Sequence, residues 1–233
     1  MSKHPPPQET RWPEGAIFTV GHSTLPIKQF IALLKAYGIE RLVDIRTIPR
    51  SRRNPQFEGV ALADSLGAEG IEYVHLQALG GLRHPRKDSP NTGWRNQSFR
   101  GYADYMQTQA FENELRTLIA LSQEKRVAIM CAEAVPWRCH RSLVSDALVA
   151  RDITVVEILS QGSYRPRTLT SFAHVKGMQI TYPPDQAKLL YRLRGAFQFL
   201  SPRAVACMPR LGRGRVTQRR VVYKEYANQR GCR

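Results

Sequence analysis

The stretch AIFTVGHSTLPIKQFIALLKAYGIERLVDIR, residues 16–46, holds the pattern on which the fold turns. Ala16 to Val20 is a short apolar run that stops at Gly21, as a buried strand ending in a turn would. Thr24 followed by Leu25-Pro26 reads as a helix N-cap with proline in the first turn. Ile27, Phe30, Ile31, Leu33 and Leu34 then recur at helical spacing up to Gly38, a C-cap residue. Arg41 to Arg46 is again a strand. An order of strand, helix and strand predicts an α/β domain rather than a bundle or a sandwich.

The rest of the chain continues the alternation. A Pro- and Arg-bearing loop (TIPRSRRNPQ) leads to a weaker helix around Phe57 to Leu66 and a strand from Ile71 to Leu76. The polar stretch from Gln77 to Gly101 shows no period, and loops of such length in compact domains are often functional. Tyr102–Met106 and Phe111–Leu121 carry helical spacing, Arg126–Cys131 reads as a strand, His140–Ala150 as a helix and Thr154–Leu159 as a last strand. The expectation is a Rossmann-like, mainly parallel sheet of about five strands with helices on both faces. Residues 1–15, rich in proline, read as a disordered arm, 16–185 as one α/β domain, and 186–233 as a basic, poorly ordered tail.

Composition limits the function classes. Of the 233 residues, 35 are Lys or Arg and 19 Asp or Glu, a net charge of +16. Gln186 to Arg233 holds twelve Lys or Arg against Glu225 alone, which leaves +5 for residues 1–185. The charge is therefore mostly a property of the tail, and the total says little about the domain. No apolar run approaches the ~18 residues of a membrane helix, and no signal-peptide pattern opens the chain, so a cytoplasmic protein is expected. Four cysteines are too few for a disulfide framework and read as free thiols.

Strand ends in a parallel sheet open on one side, and ligands bind there. The predicted strands end in Gly21-His22-Ser23, Asp44-Ile45-Arg46, His75 and Cys131-Ala132-Glu133. The following loops add Arg50, Ser51, Arg52 and Arg53, then Arg83, His84, Arg86 and Lys87, then Arg138, Cys139, His140 and Arg141. Arg46 to Arg53 brings four positive charges with no acid between, and Arg138 and Arg141 flank a helix start, which favours an anion. An anion-binding set of Ser23, Arg46, Ser51, Arg52, Arg138 and Arg141 follows, with His22, Asp44, Cys131, Glu133 and His140 as the catalytic candidates. Simpler readings stand beside each: the arginines as solvated loops, Asp44 as a partner of Arg46, His22 as a helix cap, and Cys131 as a small buried residue.

Cys131 at a strand end before a helix start resembles the layout of enzymes with a cysteine nucleophile, although six residues, not five, separate it from Arg138. Cys131, Cys139 and His140, with Glu133, also offer zinc or iron ligand types, but no second C-x2-C unit supports them. Trp94, Phe99, Tyr102 and Tyr105 either seal the long loop or stack bases.

The segments TVGHST (19–24), LVDIRTIPRSRRNPQF (42–57), GIEYVHLQALGG (70–81), FRGYADYM (99–106) and MCAEAVPWRCHRSL (130–143) together resemble the DUF488 family. The likeness runs from about Ile17 to Pro184. It implies a Rossmann-like α/β fold and no particular reaction. The family's recurring positions fall here on Gly21, His22, Ser23, Asp44, Arg46, Pro49, Ser51, Cys131, Glu133, Pro136, Cys139, His140 and Arg141. The sequence thus leads to an enzyme or binder for a phosphate-bearing or nucleic-acid-related anion. Arg46, Arg52, Arg138 and Arg141 would hold the anion, and His22 or His140 would serve as the acid/base with Glu133 as partner. The rivals are a nucleic-acid-binding protein that uses its basic loops and tail, and a metal-dependent site.

Overall fold

The computed structural model describes Pro7 and residues 10–184. The order expected of residues 186–233, and of most of the N-terminal arm, lies outside the described residues. Trp12, at the described end of that arm, packs edge-on against Phe18 and Tyr164.

Strands β1 (Ile17–Gly21), β2 (Arg41–Asp44), β3 (Glu72–His75), β4 (Val127–Cys131), β5 (Val155–Ser160) and β6 (Ser163–Pro166) form one sheet in the order β3-β2-β4-β1-β5-β6. The first five are parallel, and β6 turns back antiparallel onto β5. This mixed α/β sheet therefore has six strands where about five were expected. The extra edge strand, SYRP, buries only Tyr164 and ends in a proline that an edge tolerates, so it carries no apolar alternation to read. A separate hairpin of β7 (His174–Lys176) and β8 (Gln179–Thr181) follows, and its first strand is exposed throughout.

Five helices lie among the described residues: α1 (Ile27–Ala36), α2 (Gly59–Gly67), α3 (Gln97–Tyr105), α4 (Gln109–Glu124) and α5 (Arg141–Val149). α1 buries Phe30, Ile31, Leu33 and Leu34, the residues whose spacing predicted it. Its cap differs from expectation. Thr24 is exposed, Pro26 takes the N-cap position, and the Phe30 N–H bonds to the Pro26 carbonyl without any side-chain cap. α3 starts earlier than its apolar spacing suggests because the Asn96 side chain accepts the N–H groups of Ser98 and Phe99.

The alternation of strand side chains builds two cores. Ile17, Val43, Ile129 and Cys131 face α3, α4 and α5, whereas Phe18, Leu42, Ala128 and Met130 face α1 and α2. β4, buried along its whole length, is flanked by β2 and β1. Chains leaving β1 and β2 enter helices on one face, and the chain leaving β4 enters α5 on the other. The C-terminal end of β4 is therefore the switch point at which open α/β sheets bind ligands.

Candidate functional site

Two polar clusters meet at this end of the sheet. On the α1/α2 side, Asp44, His22, Arg46 and Tyr73 form a closed set. Arg46 Nε donates to both Asp44 oxygens at 2.9 and 3.0 Å, and the Tyr73 hydroxyl donates to Asp44 Oδ2 at 2.8 Å. Asp44 is wholly buried and Arg46 nearly so. Burial works against the Arg46 charge, and the pairing with Asp44 more than offsets it, so the guanidinium stays protonated. His75 Nε2 donates to the Arg46 carbonyl at 2.8 Å.

His22 stacks on Phe57 with ring centroids 4.0 Å apart. Its Nδ1 lies 2.9 Å from the Ser23 carbonyl, which can only accept, so the ring proton sits on Nδ1 and Nε2 turns its lone pair toward Arg46. Burial is the largest cause that brings its pKa down to about 4, with Arg46 and Arg141 adding to the effect. These surroundings favour the neutral ring.

On the α5 side the arrangement differs. Cys131 ends β4, and the chain then crosses the end of β1, where the His22 and Ser23 N–H groups bond to the Cys131 and Ala132 carbonyls. Gly21 permits the crossing: a Cβ there would lie 1.9 Å from the Glu133 carbonyl oxygen. A short 3-10 turn, Pro136–Arg138, brings the chain back, so that Cys139 and His140 arrive beside Cys131 at the start of α5. His140 Nδ1 is 3.9 Å from Cys131 Sγ and 3.7 Å from Cys139 Sγ, and the three atoms lie within 4.8 Å of one another. His140 Nε2 donates to the Ile45 carbonyl at 3.0 Å, which leaves Nδ1 as the lone-pair nitrogen facing both sulfurs. The Tyr102 ring lies 5.1 Å from the imidazole.

Beneath this trio runs Arg141, fully buried. Nη1 donates to Thr19 Oγ1 at 3.0 Å and Nη2 to the Glu133 carbonyl at 2.6 Å, and Nε has no hydrogen-bond partner among the described residues. No described carboxylate pairs with it. The two thiols divide one ionisation between them. Contact with Cys131, then His140 and Arg141, holds the Cys139 pKa down against burial, while contact with Cys139 and burial push Cys131 up.

The other expected residues lie apart from this centre or play a different part. Glu133 has an exposed side chain and contributes its carbonyl. Ser23 adopts a positive φ of 47°, and Ser51 Oγ accepts the Asn54 N–H. Arg50, Arg52, Arg53 and Arg138 are exposed and form no ion pair with a described carboxylate. Arg46 and Arg141, expected to grip an anion, are instead committed inside the protein.

Several contributors escaped the sequence reading. Gly81 faces His140, Tyr102 flanks it, Ile45 orients it through a main-chain carbonyl, and Thr19 receives Arg141. A polar residue such as Thr19 within an apolar strand is the one signal that could have been noticed. Trp94, Phe99, Tyr102 and Tyr105 do pack the long loop: Trp94 lies against Phe99 and Phe172, and the hydroxyls of Tyr102 and Tyr105 donate to the Leu79 and Ala78 carbonyls. Buried Asp104 ties the same loop down through the Arg86 N–H, Ser89 and Asn91.

A family model described as "Domain of unknown function DUF488" matches residues 26–148, more than half of the chain. The chain belongs to the DUF488 family. No curated protein and no solved structure matches it. The matched span of the DUF488 domain includes β4, both cysteines and His140, so the thiol–imidazole trio lies inside the family's own region. Among the described residues no helix is long and apolar enough to cross a membrane.

Proposed function

We propose that this Rossmann-like DUF488 protein is a cytoplasmic enzyme or ligand-binding protein for a phosphate-bearing or nucleic-acid-related anion at the C-terminal edge of the sheet. Cys131, Cys139 and His140 are its reactive centre. The observation that carries this reading is the convergence of two thiols and a lone-pair nitrogen from separate segments, beside a buried guanidinium that lacks a carboxylate partner among the described residues. A buried positive charge without an acid is costly, and it favours a negative group nearby, whether thiolate or bound anion. A reducing compartment keeps such thiols free.

The exposed arginines of the loops after β2 and β4, Arg50, Arg52, Arg53 and Arg138, supply the attraction for the anion, while Arg141 contributes charge from within. Calorimetric titration of the full chain with inorganic phosphate and with a nucleoside triphosphate tests this. Saturable binding is expected, weakened about tenfold in the doubly substituted Arg52→Ala/Arg138→Ala protein, a loss of about 1.4 kcal/mol. No binding of either probe at low salt would overturn it.

A second reading, nucleic-acid binding without chemistry, is favoured by the twelve Lys or Arg of residues 186–233. Its mark would be an oligonucleotide affinity that falls steeply with salt and ignores His140→Ala.

A further inference from the structure

We propose that Cys131, Cys139 and His140 form a zinc site with a fourth coordination position open to the ligand. This rests on the reading that the same trio is the reactive centre, and it names the group that reacts.

The donor geometry is the first argument. Tetrahedral zinc with sulfur at about 2.3 Å and imidazole nitrogen at about 2.0–2.1 Å needs sulfur–nitrogen edges of about 3.5–3.6 Å. The two edges here are 3.9 and 3.7 Å, so a contraction of a few tenths of an ångström completes them. The imidazole is already set for the task. Its Nε2–H is tied to the Ile45 carbonyl at 3.0 Å, an outer contact of the kind that fixes ligating histidines, and Nδ1 is left to coordinate.

Space is the second argument. Gly81 comes so near that a Cβ would sit 3.1 Å from His140 Nδ1, and its absence leaves the coordinating face uncrowded. Charge is the third. Two thiolates in a site where Cys131 and Cys139 are both buried would repel one another, and a divalent cation neutralises the pair. A donor set of two sulfurs and one nitrogen selects zinc over magnesium, calcium or manganese, which prefer oxygen. Three protein ligands leave one position free, the arrangement of a catalytic rather than a closed structural site. A phosphoryl oxygen or a water bound there would be polarised by the metal.

The test uses the full-length chain purified under reducing conditions. Elemental analysis is expected to find about one zinc per chain. Replacement by cobalt should produce thiolate-to-cobalt charge-transfer absorption that is lost in Cys131→Ser and Cys139→Ser and weakened in His140→Ala. Asp44→Asn and Cys207→Ser should keep it in whatever fraction folds, as followed by near-UV circular dichroism. Gly81→Val should lower metal affinity while all three ligands remain. A reduced wild-type protein that takes up neither metal, or a Cys139→Ser protein that keeps full zinc, overturns the proposal, as does a Cys131–Cys139 disulfide whose reduction does not restore binding. Phosphate binding separates the two levels. If it depends on Cys139 and His140 while no metal binds, the zinc site falls and the anion function stands. If zinc binds and no phosphate binds with or without it, the metal stands and the anion function falls. If zinc binds and its removal by chelator leaves phosphate binding unchanged, the anion function stands and the open zinc position is overturned as its seat.

Discussion

The two clusters at the end of β4 each hold a histidine and a buried arginine and differ in closure. On the α1/α2 side Asp44 accepts from Arg46 and Tyr73, and His22 sits neutral against Phe57 and Arg46, so every charge there is answered from within. On the α5 side Arg141 has no acid partner among the described residues, and Cys131, Cys139 and His140 turn their donor atoms toward one another. A closed polar network stabilises a fold, whereas the α5 side holds its imidazole only through weak sulfur contacts and the Ile45 carbonyl, and its guanidinium only through neutral acceptors. Both histidines and both arginines look alike in the sequence. Their partners separate them.

The largest test of this contrast is Asp44→Asn. It leaves the Arg46 guanidinium buried without its carboxylate, and a loss of about 3–5 kcal/mol in urea unfolding is expected. A loss below about 1 kcal/mol would mean that the cluster is not closed in solution. Next comes Gly21→Ala, which forces a Cβ onto the Glu133 carbonyl oxygen. A cost of about 3 kcal/mol is expected, together with weaker metal and anion binding, because the segment leading to Cys139 must shift.

Acid should act on the closed side. The folded pKa of His22, about 4, lies below its ordinary 6.5, so the unfolded chain takes up this proton first as pH falls. The stabilisation from neutral His22 is therefore complete above pH 6.5 and is lost as pH falls toward 4. The groups facing the ring are Arg46, Asp44 and Arg141, and His22→Gln should flatten this part of the stability–pH profile. Smallest of all, Arg52→Ala should change stability by no more than about 0.5 kcal/mol, since its side chain is exposed, while still weakening phosphate binding.

The elements that place the site could be read because strands β1, β2 and β4 are apolar runs that stop at Gly21, Asp44 and Cys131, and because α1 has clear apolar spacing. β6 and the β7–β8 hairpin could not, since short, exposed pairings bury too little to leave a pattern. Cys131, Cys139 and His140 could be placed near one another from the strand and helix they border, yet the partners of each side chain were not legible. Arg46 and Arg141 were expected to face a ligand, but whether a guanidinium turns inward depends on Asp44, Tyr73, Thr19 and main-chain carbonyls supplied by other strands. Glu157 and Asp146 are a parallel case. Both are fully buried and held by Arg167, and Glu157 also by Arg165, in a network that only the folded chain assembles.

The most direct test is a phosphate titration of the full chain in two variants that perturb one cluster each, His140→Ala on the open side and Tyr73→Phe on the closed side. His140→Ala is expected to abolish binding with the fold intact by circular dichroism. Tyr73→Phe should bind as the wild type does while losing about 1 kcal/mol of stability. Undiminished binding in His140→Ala, or binding lost in folded Tyr73→Phe, would place the function in the wrong cluster.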